Sequence, residues 1–498
     1  MTMRLSVLLQ NIMSIPAEAD CDVSRLVLDS RQVQARDVFL AVKGTHLDGR
    51  KYIAEAINHG AVAVLVDADS ENETIRWEND IPLIPINNLQ SKLGELGAQF
   101  YQHPAKKLQM IGVTGTNGKT SCTHFIAQIL QSLQTPCAVV GTLGSGMYGA
   151  LGEAGLTTPD AITLQAILRD VLDQGAKAVA IEVSSHSIDQ GRVNDIEFDV
   201  GVFTNLTQDH LDYHGTMDAY AAVKRRFLTV FPVKHLVINI DDAYGAKWAH
   251  ELAHTRSVFT YSVLPVTKKD KNLTYATDIK LTLHGIKANI HSPFGAGELS
   301  LALIGRFNLS NALAVLTALC VAGIPFNDAL YRLAQLKAVP GRMQTLGGAG
   351  KPVIVVDYAH TPDALEKALE ALRPQVEERL ICVFGCGGDR DPGKRSKMAA
   401  IAEKLADQII VTNDNPRHES PKKIVEQIMQ GFSRPDEVLV LLDRSKAIEK
   451  SIQLATGSDC ILIAGKGAEH YQQIGDEKTP FDDVEQASKY LAQYKQKA

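Results

Sequence analysis

No stretch of this 498-residue sequence approaches the roughly 20 consecutive apolar residues that a membrane-spanning helix requires. The opening MTMRLSVLLQNIMS carries a short apolar patch without a signal-peptide cleavage pattern, so a soluble, cytoplasmic protein is expected. Basic runs are missing too. The 51 lysines and arginines are interspersed with 57 acidic residues, for a formal net charge of −6, which leaves no track for a nucleic-acid partner. Cysteine is scarce and odd in number, with 7 residues at positions 21, 122, 137, 320, 382, 386 and 460. None shows paired metal-ligand spacing, so no structural zinc site is indicated and free thiols in a reducing compartment are expected. Low-complexity linkers and repeats of solenoid period are also lacking.

What is present is a globular composition, 45% hydrophobic, in a chain longer than one hydrophobic core supports. Strand-like runs DVFLAVKG (37–44), AVAVLVD (61–67) and IPLIPI (81–86), with the helix-like YIAEAINHG between the first two, predict a small α/β module ending near residue 88. A helix over Leu89 to Tyr101 is stopped at His103-Pro104. From there, runs at 108–113, 136–142, 177–185, 198–206 and 235–241 alternate with helical stretches, as in a mainly parallel, doubly covered sheet. Residues 257–303 alternate polar and apolar positions and predict an antiparallel extension before a helix near Asn308. A third set of strands at 352–359, 379–385, 407–414, 437–443 and 460–467 predicts a Rossmann-like domain. The fold class is therefore three α/β domains in series, over residues 1–88, 89–338 and 339–498.

The most informative segment is GVTGTNGKTS, Gly112 to Ser121. A buried strand, a glycine-rich turn and a Lys-Thr pair opening a helix make a phosphate site, because backbone amides and the helix N-terminus attract anions. Lys119 would sit between the β- and γ-phosphates and Thr120 Oγ1 would face Mg²⁺. Five residues separate Gly112 from Gly118, one more than in the ordinary P-loop.

Functional groups in open α/β sheets gather at the carboxyl ends of strands. There the sequence places Glu182, and then Asp209, His210, Asp212 and His214 within TNLTQDHLDYHG. Glu182 and Thr120 offer the oxygen ligands that Mg²⁺ favours, with His210 a less usual one, whereas His214 fits a hydrogen-bonded structural histidine. Lys224 in AYAAVKRRFL reads, by composition alone, as part of a solvated basic helix face. In the third domain Arg342, Asp357, Tyr358 and His360 are placed to close over a nucleotide. Arg390 follows one strand, and Asp414, Asn415 and Arg417 follow another. Arginine forks grip carboxylates and an aspartate holds an ammonium, so a zwitterionic amino acid is the expected substrate of these loops.

Taken together, TGTNGKT (114–120), EVSSH (182–186), TNLTQDHLDYHG (204–215), GRFNLSNALA (305–314), VPGRMQ (339–344), DYAHTPDA (357–364), GCGGDRDPGKR (385–395), DNPR (414–417) and GKGAE (465–469) resemble the Mur ligases over essentially the whole chain. The branch resembled is the one that adds meso-diaminopimelate. The resemblance implies an ATP-dependent amide ligase of cytoplasmic peptidoglycan precursor synthesis, working through an acyl phosphate on a UDP-N-acetylmuramoyl dipeptide. It implies Lys119, Lys224 and His210 as catalytic residues, and an ATP site of Gly115, Thr116, Asn117, Gly118, Lys119, Thr120, Ser121, Asn308 and Arg342. Mg²⁺ would be held by Thr120, Glu182, His210 and Lys224, the last carbamylated by CO₂, because a free ammonium would repel the cation. The N-terminal domain would bind UDP. Leu28, Ser30, Thr45, His46, Leu47, Thr157, Thr158, Ser184, Gln190 and Arg192 would receive the UDP-sugar dipeptide. Arg390, Asp414, Asn415, Pro416, Arg417, Gly465 and Glu469 would receive diaminopimelate, Arg417 binding the distal carboxylate that lysine lacks. A monomer is expected. The sequence departs from the family at Ser121, where a second threonine is frequent, and at Ala468, where a histidine is usual. Alternatives are a lysine-adding relative, a folylpolyglutamate synthetase-like ligase or, from another class, a P-loop small-molecule kinase.

Overall fold

A computed structural model describes residues 2–44, 47–70, 73–152, 155–266 and 270–494. The chain partitions into two compact units, the first running to Leu206 and including His210–Val237 and Lys247–Val258, the second holding Thr207–Asp209, Ile238–Ala246 and everything from Phe259 onward.

Among the described residues of the first unit, a small pair Met3–Arg4/Asp22–Val23 accompanies two larger sheets. In the N-terminal one, Arg25–Val27, Asp37–Ala41, Ala63–Asp67 and Ile81–Ile86 run parallel in that order, and Arg76–Glu78 closes the edge antiparallel. Alternate residues serve opposite faces, as strand geometry dictates. Val38 and Leu40 pack with Leu89, Leu93, Leu96 and Phe100 of the helix Leu89–Phe100, whereas Phe39 and Ala41 pack with Ile53 and Ala56. In the second sheet the order is Gly144–Met147, Cys137–Gly141, Ala178–Glu182, Gln109–Thr114, Phe198–Phe203. All of these pairings are parallel except the first, a hairpin that the glycine-rich GSGM segment gave no sign of. Gln109–Thr114 thus has a strand on either side, and the glycine-rich loop leaves its carboxyl end between the ends of both neighbours.

In the second unit the expected antiparallel extension is present as the meander Leu273–Thr282, Gly285–Ser292, Gly295–Leu301. The helix Arg306–Val321 follows. The C-terminal sheet has the order Gln344–Gly348, Lys351–Asp357, Cys460–Ala464, Leu380–Phe384, Gln408–Val411, Leu439–Val440, parallel apart from the first pair. Helices cover both faces, giving two cores around Val355, Cys382 and Leu462 and around Ile354, Val383 and Ile463. The strand expected over 437–443 shrinks to Leu439–Val440. Being at the edge, it has a partner on one side only, and the chain around it is claimed by the turn Pro435–Glu437 and by Asp443, which caps the next helix. The hairpin Tyr471–Ile474/Glu477–Pro480 was not foreseen. Beneath the carboxyl ends, Arg444 and Asp483 form a fully buried two-pronged ion pair, and Arg444 also donates to the Ala464 carbonyl at 3.0 Å.

Candidate functional site

The phosphate loop is built as the sequence requires. Gly115 has φ 146°, and a β-carbon there would lie 1.9 Å from Thr204 Oγ1, so no other residue fits. Gly118, at φ 88°, turns the chain into the helix Lys119–Ser132. The neighbouring strand end holds the loop open: Thr204 Oγ1 and Asn205 Nδ2 both donate to the Asn117 carbonyl, at 2.6 and 3.1 Å, and the Asn117 amide donates to Asn205 Oδ1. Asn205 is a support the sequence reading passed over, although it lies inside TNLTQDH. Lys119 Nζ donates to the Gly115 and Thr116 carbonyls at 3.0 and 2.9 Å. Thr120 and Ser121 are buried in the first turn.

Lys224 is not on a solvated face. It is 1% exposed on the helix Met217–Thr229, its Nζ 2.8 Å from the Gly115 carbonyl and 5.0 Å from the centre of the Tyr220 ring. The adjacent arginines point elsewhere, Arg225 to Glu251 and Arg226 to Asp189. Glu182 is 1% exposed and accepts from the Thr142 amide and hydroxyl, at 2.8 and 3.2 Å, and among the described residues it has no cationic partner. A buried carboxylate without a counter-charge fits a cation, and hydroxyl and carboxylate oxygens are the donors that suit Mg²⁺, an imidazole being a less usual one. Among the described residues no cluster of three His, Cys, Asp or Glu side chains could hold a metal. His210, exposed at φ 53°, packs edge-on to His186 at 4.8 Å. Burial, with His210 and His214 nearby, pushes the His186 imidazole down to about 4. His214 bonds Ser185 Oγ at 3.0 Å, as expected of a structural histidine.

A separate cavity in the same unit is lined by Leu28, Gln90, Leu93, Leu156, Asp160, Ala161, Gln190 and Arg192. Arg192 donates to Gln190 Oε1 through Nε and Nη2, at 3.0 and 2.6 Å, and to the Thr158 carbonyl at 2.8 Å. Thr158 Oγ1 in turn donates to the Glu182 carbonyl at 2.7 Å, tying this cavity to the strand that carries the buried carboxylate. Thr157 meets Thr142, and Ser184 caps a short helix. Ser30 is buried with its hydroxyl on Glu55 at 2.5 Å, and Leu47 is 70% exposed; neither lines the cavity. Thr45 and His46 lie outside the described residues. Gln90, Leu156 and Asp160 are additions that only the packing reveals, since each sits at an unremarkable helix start or loop.

The second unit carries Asn308 and Arg342. Asn308 is buried and donates to the Ile304 carbonyl. Arg342 stacks over the Tyr358 ring at 4.6 Å, and Asp357 accepts from the Met343 amide. Burial raises the Asp357 carboxyl above its ordinary range. His360 is exposed, with Nδ1 2.8 Å from the Tyr358 carbonyl.

Around the last strands the loops bearing Arg390, Asp414 and Arg417 converge. Arg417, at φ 50°, donates to the Gly388 carbonyl, and its Nη1 would be 2.9 Å from a β-carbon on Gly387; Arg390 flanks the same glycine. Gly465, at φ 122°, lets Asp414 Oδ2 come within 2.6 Å of where a β-carbon would stand. Asn415 Nδ2 donates to Glu469 at 2.7 Å. Pro416 abuts Gly388, its carbonyl 1.8 Å from a β-carbon placed there. The loop bearing Arg390 is held from behind by Arg395, 1% exposed, on Glu419 and the Gly387 carbonyl. The Tyr471 hydroxyl is raised by burial and then by Glu469, with Arg417, Asp414 and Arg390 also within electrostatic reach. Charges of both signs, two cations and two carboxylates, thus act on one phenol. Arg395, Lys466 and Tyr471 were not singled out from sequence, although Lys466 lies within GKGAE.

Models of known families match three parts of the chain: residues 22–101 match "Mur ligase family, catalytic domain", 113–319 "Mur ligase middle domain" and 341–467 "Mur ligase, glutamate ligase domain". The chain is 49% identical over 473 residues to UDP-N-acetylmuramoyl-L-alanyl-D-glutamate--2,6-diaminopimelate ligase of Coxiella burnetii, covering 95% of this chain and 96% of that one. It is 48% identical over 476 residues to the Pseudomonas aeruginosa protein of the same name, covering 96% of each. A solved structure of a ligase of that name superposes with a TM-score of 0.70 at 34% identity, covering 99% of both chains. An Acinetobacter baumannii D-alanyl-D-alanyl ligase shares the fold at TM-score 0.64 and 19% identity, over 93% of this chain and 95% of that one. No helix among the described residues is long and apolar enough to cross a membrane.

Proposed function

This chain belongs to the Mur ligase family, and from that membership we infer the reaction its site performs. It is an ATP-dependent ligase that joins 2,6-diaminopimelate to UDP-N-acetylmuramoyl-L-alanyl-D-glutamate in peptidoglycan precursor synthesis. Among its own features, the one that best supports this reading is the pocket in which Arg390 and Arg417 flank Gly387 beside Asp414 and Glu469.

We assign residues 1–88 to the UDP-sugar, 89–338 to ATP and 339–498 to the amino acid, which we take to be the meso isomer. The glutamate carboxylate attacks the γ-phosphorus of ATP; a P–O bond forms, the bond to ADP breaks, and an acyl phosphate results. The amine of diaminopimelate then attacks the acyl carbon, and the tetrahedral intermediate expels phosphate to leave the amide. Lys119, now resting on two loop carbonyls, would exchange them for phosphate oxygens, and the loop amides would hold the β-phosphate in line. Glu182, Thr120, His210 and a carbamylated Lys224 would hold Mg²⁺, which supplies charge neutralisation for the transferred phosphoryl group. Asn308 and Arg342 would contact the nucleotide, and Asp357 would keep Arg342 on its stack with Tyr358. We place the protein in the cytoplasm as a monomer.

The decisive experiment offers meso-diaminopimelate, L-lysine and L-glutamate separately with the dipeptide and ATP. Product with diaminopimelate at least about 100-fold more efficiently than with lysine is expected, because a site built for a second carboxylate is left unpaired by lysine. A preference for lysine or glutamate, or a stable phosphorylated product without any amine, would replace this assignment. In the cavity of the first unit, Arg192→Ala frees Gln190 and the Thr158 carbonyl together. It is expected to raise KM for the UDP-muramoyl dipeptide about tenfold, from the loss of charged hydrogen bonds, with KM for diaminopimelate unchanged. Equal changes for both substrates would remove the cavity from the dipeptide site.

A further inference from the structure

Lys466 is a fully buried ammonium, and the mechanism above gives it no task. It stands between Gly465 and Gly467, both with left-handed backbone, in the loop that follows the strand Cys460–Ala464. Its Nζ donates to Asn415 Oδ1 at 3.0 Å and to Glu469 Oε2 at 3.1 Å. The Gln473 amide, from the hairpin strand Tyr471–Ile474, donates to the same Asn415 oxygen at 2.9 Å. An ammonium and a backbone amide are donors only, so the Asn415 side chain has one allowed orientation, with its oxygen toward Lys466 and its nitrogen toward Glu469. Glu469 Oε2 is then committed twice, to Lys466 and to Asn415 Nδ2 at 2.7 Å, while Oε1 has no hydrogen-bond partner among the described residues.

We propose that Lys466 is a positioning residue of the amino-acid pocket. Its ammonium locks Asn415 and one oxygen of Glu469 into a unit, and thereby presents the other Glu469 oxygen, beside Asp414, to an ammonium of the incoming zwitterion. The lysine also offsets one of the two carboxylate charges in the pocket. Without it Glu469 would be half-buried with a single neutral donor, free to turn toward solvent or toward the arginines that the substrate carboxylates need. This rests on the assignment of the pocket to diaminopimelate.

The test is steady-state kinetics of the full-length enzyme with Lys466→Met, Lys466→Gln, Glu469→Gln, the double variant Lys466→Met/Glu469→Gln, and Arg417→Ala. Lys466→Met is expected to raise KM for diaminopimelate roughly thirtyfold, about the size of losing one charged hydrogen bond to the substrate ammonium, and to leave KM for ATP and for the dipeptide within about twofold. Lys466→Gln, which keeps a donor for Asn415, is expected to fall between it and the parent, and it carries the test if the methionine variant does not fold. The double variant is expected to be much less impaired than the product of the single effects, because removing the Glu469 charge removes what Lys466 restrains. Multiplicative effects, or a loss spread equally over the three substrates, overturn the proposal. If Arg417→Ala raises KM for diaminopimelate while both Lys466 variants leave it unchanged, the proposal fails alone. If Arg417→Ala also leaves it unchanged, the pocket assignment fails and takes the proposal with it.

Discussion

Lys224→Ala is expected to lower kcat by about three orders of magnitude, the scale on which a single group that stabilises transition-state charge acts. Lys224 is enclosed to 1% exposure between the phosphate loop and Tyr220 and has no surface role to lose. As an ammonium it would add positive charge where Mg²⁺ and ATP must meet; as a carbamate it adds two anionic oxygens to the donors of Glu182 and Thr120. Alanine supplies neither. A small carboxylate such as formate, diffusing into the space left by the side chain, is therefore expected to restore part of the rate, whereas a small amine is not. Phosphate release at saturating substrates reads both effects. Activity of the alanine variant within about tenfold of the parent would remove Lys224 from catalysis, and rescue by an amine in place of a carboxylate would refute the carbamate.

Arg417→Ala is expected to raise KM for diaminopimelate about 100-fold and to leave KM for ATP within about twofold, because a two-pronged charged hydrogen bond of roughly 2–3 kcal/mol is lost from one substrate only. The same variant is expected to narrow the preference for diaminopimelate over lysine, since lysine never made that contact. Arg417 is held in place by its surroundings. Its backbone is left-handed, its amide donates to the Gln473 carbonyl, and its own carbonyl accepts from the Gly475 amide, which ties it to the hairpin that follows the strand Cys460–Ala464. Unchanged selectivity in the alanine variant would assign the distal carboxylate to another residue, with Arg390 next in line.

Much of this was legible from sequence because short-range rules carried it. Buried parallel strands announce themselves as apolar β-branched runs, and each of the central runs from 108 to 241 became a strand. The glycines of the phosphate loop were legible for the same reason: their backbone demands are local. Reading failed where tertiary neighbours set the outcome. The run 437–443 has strand composition, yet its edge position and the cap at Asp443 reduced it to Leu439–Val440. The hairpin Tyr471–Ile474/Glu477–Pro480 has no hydrophobic alternation to betray it and is stabilised instead by contacts to the loop that bears Arg417.

Lys224, Arg225 and Arg226 mark the division between the two kinds of information. Sequence by itself determined the phosphate loop, the three α/β modules and the set of charged residues after each strand, because these follow from local propensity, periodicity and spacing. Composition did not separate three adjacent cations, and only the family resemblance singled out Lys224. By composition they are equivalent. Helix phase turns Lys224 toward the Gly115 carbonyl and leaves Arg225 and Arg226 to Glu251 and Asp189. In the last domain the same holds for Lys466, which sequence presented as one residue of a glycine-rich loop and which folding buried against Asn415 and Glu469. Burial and charge pairing depend on partners distant in the chain, and only the tertiary structure brings those partners together.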